Sequence, residues 1–420
     1  MSIEDLERRY QAKKLSMKRD DVHGAMITRQ FRQSNAVYLN QASVWDISEN
    51  GKEICYLHQG RSYSVRSRAT IVSTGAIERP VPIPGWTLPG VMTVGGAQTL
   101  LKTSGRVPSG RIVLLGCGPL LHLAAQQLTD AGGNVVALLQ TTSLTDFARA
   151  TLQFLNALWV PKFILEGLSL LTQSTKIHTV SSVRGFSIVG EDQVHAVEYT
   201  CGTRMDVLDC DVVLLHFGVI PNTQITRLAG ADHEWNDQQR YWRPITNTWR
   251  ETSISNFMVA GDGGVVLGAE AAEVSGRLSA LGVAYNLGNI TKATRDKMAK
   301  HLLRQHHRYV KAMSFLDTIY HPPFDSLFPA GNTIVCRCEG IRADMIEAAV
   351  ANGGVDMRRL KAHTRAGMGP CRGQMCSMAT AEILSKKLDL DANSIIAPAT
   401  VRPPIRPLTI GQLADHSMQD

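Results

Sequence analysis

A chain of 420 residues is too long for one ordinary core, so two or three domains are expected, and 44% hydrophobic with 19% charged content is that of an ordered globular chain. The net charge of +7 is modest, and Lys and Arg are scattered without interleaved aromatics, which argues against a nucleic-acid surface. No uninterrupted apolar run is long enough to span a bilayer, and "MSIEDLERRYQAKKLSMKRDD" at the start lacks an apolar signal core. Neither a membrane span nor a secretory leader is read, and a cytoplasmic setting is expected, where clustered cysteines mean metal or catalysis.

From Asn35 the stretch "NAVYLNQASVWDI" predicts β-structure, continued across the Asn-Gly turn of "ENGK" into "EICYLH". "RATIVSTGA" reads as an apolar strand ending at Thr74-Gly75, and Pro80, Pro82, Pro84 and Pro89 then enforce an extended crossing. "GRIVLLGCGPLLHLAAQQLTDAGGNVVALL" is the clearest unit: buried strand, glycine turn, helix with one apolar face, then a second strand. Residues 142–200 read as helix followed by mixed strands, and "DVVLLHFGVIPNTQ" as another buried strand with a Gly/Pro turn. "ISNFMVAGDGGVVLGAEAAEVSGRLSALGVAYNLG" predicts a strand, a glycine turn with one acid, and a long helix of small residues. A polar, basic helical linker runs from Ala293 to Tyr320, and a Pro-rich tail follows the last cysteines.

Three motifs carry chemistry. In "GCGPLL", Gly116 can make the tight turn and Gly118 can let the backbone approach a pyrophosphate at a helix N-terminus. Leu121 stands where a third, packing glycine would, and Gln140 stands where an acid would hold a ribose hydroxyl. Weak or altered adenine-nucleotide binding is expected, against the alternative of a retained fold with an empty pocket. In "VAGDGG", Gly261 precedes Asp262, an acid placed to hold a ribityl or ribose hydroxyl, or simply to cap the following helix.

Four of the 8 cysteines form two tight pairs near the end: Cys336-x-Cys338 and, further along, Cys371-x4-Cys376. Four thiolates are the usual complement of a [2Fe–2S] cluster, whereas structural zinc prefers C-x2–4-C pairs and a disulfide clasp does not suit a reducing compartment. Arg337, Arg365 and Arg372 are expected to offset the anionic charge. Cys55, Cys117, Cys201 and Cys210 form no C-x-x-C and read as inert; His301, His306 and His307 read as a solvated face of the linker.

Taken in order, "STGAIERPVPIPGWTLPGVMTVGGAQTLLK", "GCGPLL", "GVIPN", "AGDGG…GAEAAEVSGRLSAL" and the four-cysteine module resemble one family. It is the A-type (alpha) flavin and iron–sulfur component of multi-subunit dehydrogenases that oxidise amines: the opine oxidase, hydrogen cyanide synthase, proline/hydroxyproline dehydrogenase and heterotetrameric sarcosine oxidase subunits. The resemblance implies an α/β glutathione-reductase-like body with two dinucleotide-binding domains, plus a small α-rich module similar to bacterioferritin-associated ferredoxin. It implies FAD contacts at Thr74, Gly75, Gly261 and Asp262, a second nucleotide (NAD or another adenine nucleotide) at Gly116 and Gly118, and a [2Fe–2S] cluster. The implied layout is a partial FAD domain (1–107), a NAD-type domain (108–230), a return to the FAD domain (231–292), a linker (293–330), the cluster domain (331–392) and a tail (393–420). A partner flavoprotein beta-type subunit, with a small third subunit as a further candidate, would oxidise the amine, leaving this chain to transfer electrons. The alternatives are a stand-alone NAD(P)H-dependent reductase and a non-catalytic zinc scaffold. No G-x-G-x-x-G precedes residue 35, so the expectation from sequence is a truncated, misassigned or decayed flavin site that retains little FAD.

Overall fold

Helix α1 (Arg19–Arg32) leads into a three-stranded antiparallel meander, β1 (Ser43–Ser48), β2 (Glu53–His58) and β3 (Arg61–Arg66). The turn between β1 and β2 is the one read from Asn-Gly: Asn50 and Gly51 both take positive φ, at 55° and 84°. The strand expected from Asn35 begins only at Ser43, because Val37, Tyr38 and Leu39 lie exposed and no strand pairs with them. The computed structural model describes residues 19–153, 159–160, 177–323, 326–389, 400–415 and 417–419. Part of the segment read as helix after residue 142 lies outside them.

Strand β4 (Thr70–Val72) ends at the Thr74-Gly75 turn, followed by β5 (Ala76–Glu78). After the proline crossing come β6 (Val91–Thr93) and α2 (Val94–Ser104), capped by the Thr93 hydroxyl. The unit read most clearly from sequence is present: β7 (Arg111–Cys117), α3 (Pro119–Asp130) and β8 (Asn134–Gln140). Helix α4 (Leu144–Ala150) and β9 (Thr179–Val180) follow, then a second meander, β10 (Val183–Gly190), β11 (Val194–Cys201) and β12 (Arg204–Asp209). Strand β13 (Val212–Phe217) returns to complete a parallel sheet in the order β6-β13-β7-β8-β9.

Both faces of that sheet are covered, and β13 is buried at every position, which is why it reads as a continuous apolar run. Val113, Leu115, Val213 and Leu215 face the meander side; Ile112, Leu114, Leu138 and Leu214 face α2 and α3.

Next come β14 (Val219–Pro221), α5 (Gln224–Leu228), β15 (His233–Asn236), β16 (Tyr241–Pro244) and β17 (Phe257–Val259). Strand β17 pairs in parallel with β4, and β14 pairs antiparallel with β5. The Thr74-Gly75 and Gly261–Gly263 turns, distant in sequence, are thereby brought together. Helix α6 (Ala269–Asn286) packs on α7 (Lys292–Ile319), the expected linker. No described helix is long and apolar enough to cross a membrane.

The terminal module consists of a short hairpin, β18 (Ile334–Cys336) and β19 (Ile341–Arg342), and three helices, α8 (Ala343–Ala351), α9 (Met357–Thr364) and α10 (Ser377–Leu388). Its own core joins Val335, Ile346, Leu360 and Leu384, all 0% exposed. The tail does more than trail: Ile405 is buried beside Ile47 and Phe257, α11 (Ile410–Ala414) follows, and β20 (Ser417–Gln419) pairs with β3.

Candidate functional site

The β18–β19 hairpin places Cys336 inward, at 0% exposure, and carries Cys338 out to its exposed turn. Cys371 and Cys376 come from the loop between α9 and α10, Cys376 buried at the helix start and Cys371 half-buried. The loop reaches them through left-handed residues, Arg365 at the end of α9 (φ 66°) and Arg372 (φ 54°). Gly369 is required by proximity: a Cβ there would stand 2.2 Å from that of Cys338.

The four thiols meet as two pairs. Cys336 is hydrogen-bonded to Cys376, and Cys338 to Cys371. The Cys376 thiol and the backbone N–H groups of Gly367, Glu339 and Cys338 all donate to the Cys336 sulfur and hold its pKa down to about 5 against the effect of burial. Cys376, which keeps the shared proton and is buried, is pushed up. Among the described residues no three His, Cys, Asp or Glu side chains converge on one point as a single metal ion would require. Two thiol pairs, one with its sulfur accepting from backbone N–H groups, suit a two-iron cluster. Two of the three arginines expected to offset its charge are otherwise engaged: Arg365 Nε donates to Glu339 Oε2 at 2.9 Å, and Arg337 lies 5.2 Å over the Trp86 ring.

The module is fastened to the body beside the Thr74-Gly75 turn. Trp86 Nε1 donates to the Ile334 carbonyl at 2.6 Å, and the Gln374 amide to Asn222 Oδ1 at 3.2 Å. Asn222 is itself locked to the turn: its N–H donates to Gly75 O at 3.0 Å and its carbonyl accepts from Thr74 Oγ1 at 3.0 Å. A buried ion pair, Arg240 Nε to Glu382 Oε1 at 2.7 Å, joins the β15–β16 turn to α10. Periodicity carried no signal for Trp86, Asn222, Arg240, Gln374 or Glu382, because each partner lies far away in sequence.

On the body's side, the two turns expected to face FAD meet at Thr74, Gly75 and Gly263. The Thr74-Gly75 turn abuts Gly263, whose Cβ position lies 3.3 Å from Thr74 Oγ1, and Gly261 N–H donates to Ser275 Oγ. Asp262 Oδ1 accepts from Leu267 and Gly268 N–H groups at 2.9 and 3.1 Å, so one carboxylate oxygen ties down the loop before α6, whose N-cap Gly268 has no side-chain cap. These turns would hold one side of a flavin bound here.

At the second nucleotide turn, Gly116 is explained by packing. Its φ is 149°, and a Cβ would sit 1.7 Å from the His216 carbonyl of β13. Gly118 leads into α3, where Pro119 removes one of the N–H groups that could meet a phosphate. The His216 imidazole lies over this turn, 3.7 Å from the Gly118 Cβ position, and is held by Glu78 Oε1 at 2.8 Å, whose other oxygen accepts from Gly95 N–H. Gln140 is already bonded to His122 of α3. Titration of the protein with NAD should therefore give a dissociation constant no better than high micromolar, because a charge-assisted ribose contact worth about 1.5–3 kcal/mol is absent. A sub-micromolar constant by calorimetry would contradict this.

The other cysteines are quiet: burial pushes Cys55, Cys117 and Cys210 up to about 11. The histidine expectation needs correction at one position. His301 and His307 are exposed, but His306 is 9% exposed and faces Arg250 at 3.4 Å, because the side of α7 it occupies packs on α6.

Within the body lies a buried polar node missed by sequence. Arg79 donates to the carbonyls of Phe217, Arg240 and Gln239, and Asp317 is pushed up to about 7, chiefly by burial. A carboxyl raised in the folded state holds its proton while the unfolded chain has released it. Asp317 therefore costs stability increasingly as pH rises from about 4 to about 7, and the cost is level above that. Asp317→Asn should raise the unfolding free energy at pH 8 by on the order of 2 kcal/mol more than at pH 4, measured by denaturant titration at both.

This architecture defines a class: a pyridine-nucleotide-type oxidoreductase body carrying an iron–sulfur electron-transfer module. Residues 6–278 match the pyridine nucleotide-disulphide oxidoreductase family, and residues 334–386 match the BFD-like [2Fe-2S] binding domain. The A subunit of opine oxidase from Agrobacterium tumefaciens (strain Ach5) is 36% identical over 400 residues, covering 93% of this chain and 79% of the relative. Hydrogen cyanide synthase subunit HcnB of Pseudomonas protegens is 32% identical over 318 residues, 73% of this chain and 67% of the relative. The fold is also that of L-proline dehydrogenase from P. horikoshii, with a TM-score of 0.66 at 16% identity over 93% of this chain and 68% of that one. The chain belongs to the family of opine oxidase A and hydrogen cyanide synthase B subunits, FAD-dependent oxidoreductase subunits with a [2Fe–2S] domain.

Proposed function

We propose that this chain is the electron-transferring component of a multi-subunit dehydrogenase of amines, opines or amino acids. In this reading a partner flavoprotein of beta type, with a small third subunit where present, oxidises a CH–NH bond in the cytoplasm. Cys336, Cys338, Cys371 and Cys376 hold one [2Fe–2S] cluster; Thr74, Gly75, Gly261 and Asp262 line the flavin side, and Gly116 and Gly118 the second nucleotide turn. The proposed domain limits follow the sequence reading, with the cluster domain at 331–392. A [2Fe–2S] cluster, when bound, takes up and releases one electron at a time.

The observation that carries this reading is the bonded route from the Thr74-Gly75 turn through Asn222 to Gln374, which lies between Cys371 and Cys376. It fixes the cysteine loop against the flavin-facing turn. The exposed Cys338 and half-buried Cys371 leave the other side of the cysteine set open to an acceptor or partner.

The test is to co-express the chain with the flavoprotein of a neighbouring reading frame and mix the complex anaerobically with candidate amines. Cluster reduction, seen as a rhombic electron paramagnetic resonance signal, should require both the partner and the amine. Reduction of the isolated chain by NAD(P)H alone would instead make it a stand-alone reductase.

A further inference from the structure

An open cleft lies between the β5–β14 ladder and the cysteine loop. Its polar lining supplies donors. The side-chain N–H2 of Gln224 has no hydrogen-bond partner although the residue is only 7% exposed, and the indole N–H of Trp242 is likewise buried and unpartnered. Arg372 stands at the rim, and no carboxylate lines the cleft among the described residues. The remaining wall is apolar, with Ile77, Ile220 and Met378.

Two buried donors left unmade in one cleft are costly, and the cost is recovered when a ligand presents acceptor oxygens to them. A wholly inorganic anion would leave the isoleucine and methionine wall without a partner, whereas a cation would meet donors and a guanidinium. We propose that this cleft binds a small aliphatic carboxylate, its oxygens on Gln224, Trp242 and Arg372 and its hydrocarbon stem on Ile77, Ile220 and Met378. Such a ligand touches both the ladder continuing from the Thr74-Gly75 turn and the residue after Cys371, so it clamps the cluster module on the body. The proposal stands on the cleft itself and does not require that an amine be the partner's substrate.

The experiment uses the full-length, cluster-loaded protein and n-butyrate as probe, with inorganic phosphate and n-butylammonium as comparisons, read by isothermal titration calorimetry. Butyrate should bind saturably, and the other two should bind at least about tenfold more weakly. Gln224→Leu removes the donor while keeping bulk. It should weaken butyrate by about tenfold or more, yet leave the melting temperature of the free protein unchanged or raised, because an unmade buried donor is lost. Trp242→Phe keeps the ring and should weaken butyrate similarly, and it decides the matter if Gln224→Leu does not fold. Absence of saturable butyrate binding, equal binding of phosphate or butylammonium, or binding indifferent to the substitutions would overturn the proposal. Cluster content, measured as iron and sulfide, should be the same in both variants, which separates this site from the cysteine assignment.

Discussion

Serine in place of Cys336 should leave the purified protein without its brown chromophore and with less than about one-tenth of the two irons and two sulfides expected per chain. The site is unforgiving because Cys336 is fully buried and three backbone N–H groups point at its sulfur. A serine hydroxyl is shorter, harder and deprotonates far less readily, so it offers iron a poor ligand and leaves those donors weakly met. The same change at Cys376, 1% exposed, should behave alike. Because ligation contributes to the stability of a small module, both variants should also show faster hydrogen exchange across residues 331–389. Cys201→Ser should retain iron, sulfide and colour. Stoichiometric zinc without sulfide in the unaltered protein would overturn the assignment.

Glu382→Ala should be the most damaging single change at the junction, lowering stability by about 3–5 kcal/mol. Glu382 is 2% exposed, and its carboxylate receives both Nε and Nη2 of Arg240. Removing it strands a guanidinium whose side chain is only 16% exposed and which also lies 5.6 Å over the Trp235 ring. Glu382→Gln keeps the shape and one acceptor and should cost markedly less. Differential scanning calorimetry should show the loss as an earlier or separate transition of the cluster module, since the pair joins that module to the β15–β16 turn. An alanine variant that melts with the unaltered protein would mean the module is held mainly by Trp86 and Gln374.

The cysteine set and the Arg240–Glu382 pair both involve the cluster module but were unequally visible in the sequence. The cysteine set needed no structure: a ligand type, a count and a spacing are local facts, and four thiolates in two tight pairs have few chemical uses. The same holds for the β7–α3–β8 unit, where a buried strand, a glycine turn and an amphipathic helix follow one another without interruption between Gly110 and Gln140. Local patterns also misled. "NAVYLNQ" has strand chemistry but no neighbouring strand, and a β-pattern without a partner ladder is not a strand.

The sequence by itself determined the cofactor chemistry of the terminal module, the order of the two nucleotide-type turns and the polar linker helix, because each is written within a few turns of chain. Only the tertiary structure decided what those pieces are joined to. The pairing of β4 with β17 brings Thr74 to Gly263, that of β5 with β14 sets Asn222 on Gly75, and Gln374 then reaches Asn222 from the far end of the chain. His216 over Gly118 and Glu382 under Arg240 belong to the same group. A single hydrogen bond or ion pair leaves no periodicity in the chain, so its partner becomes known only when packing has placed both ends.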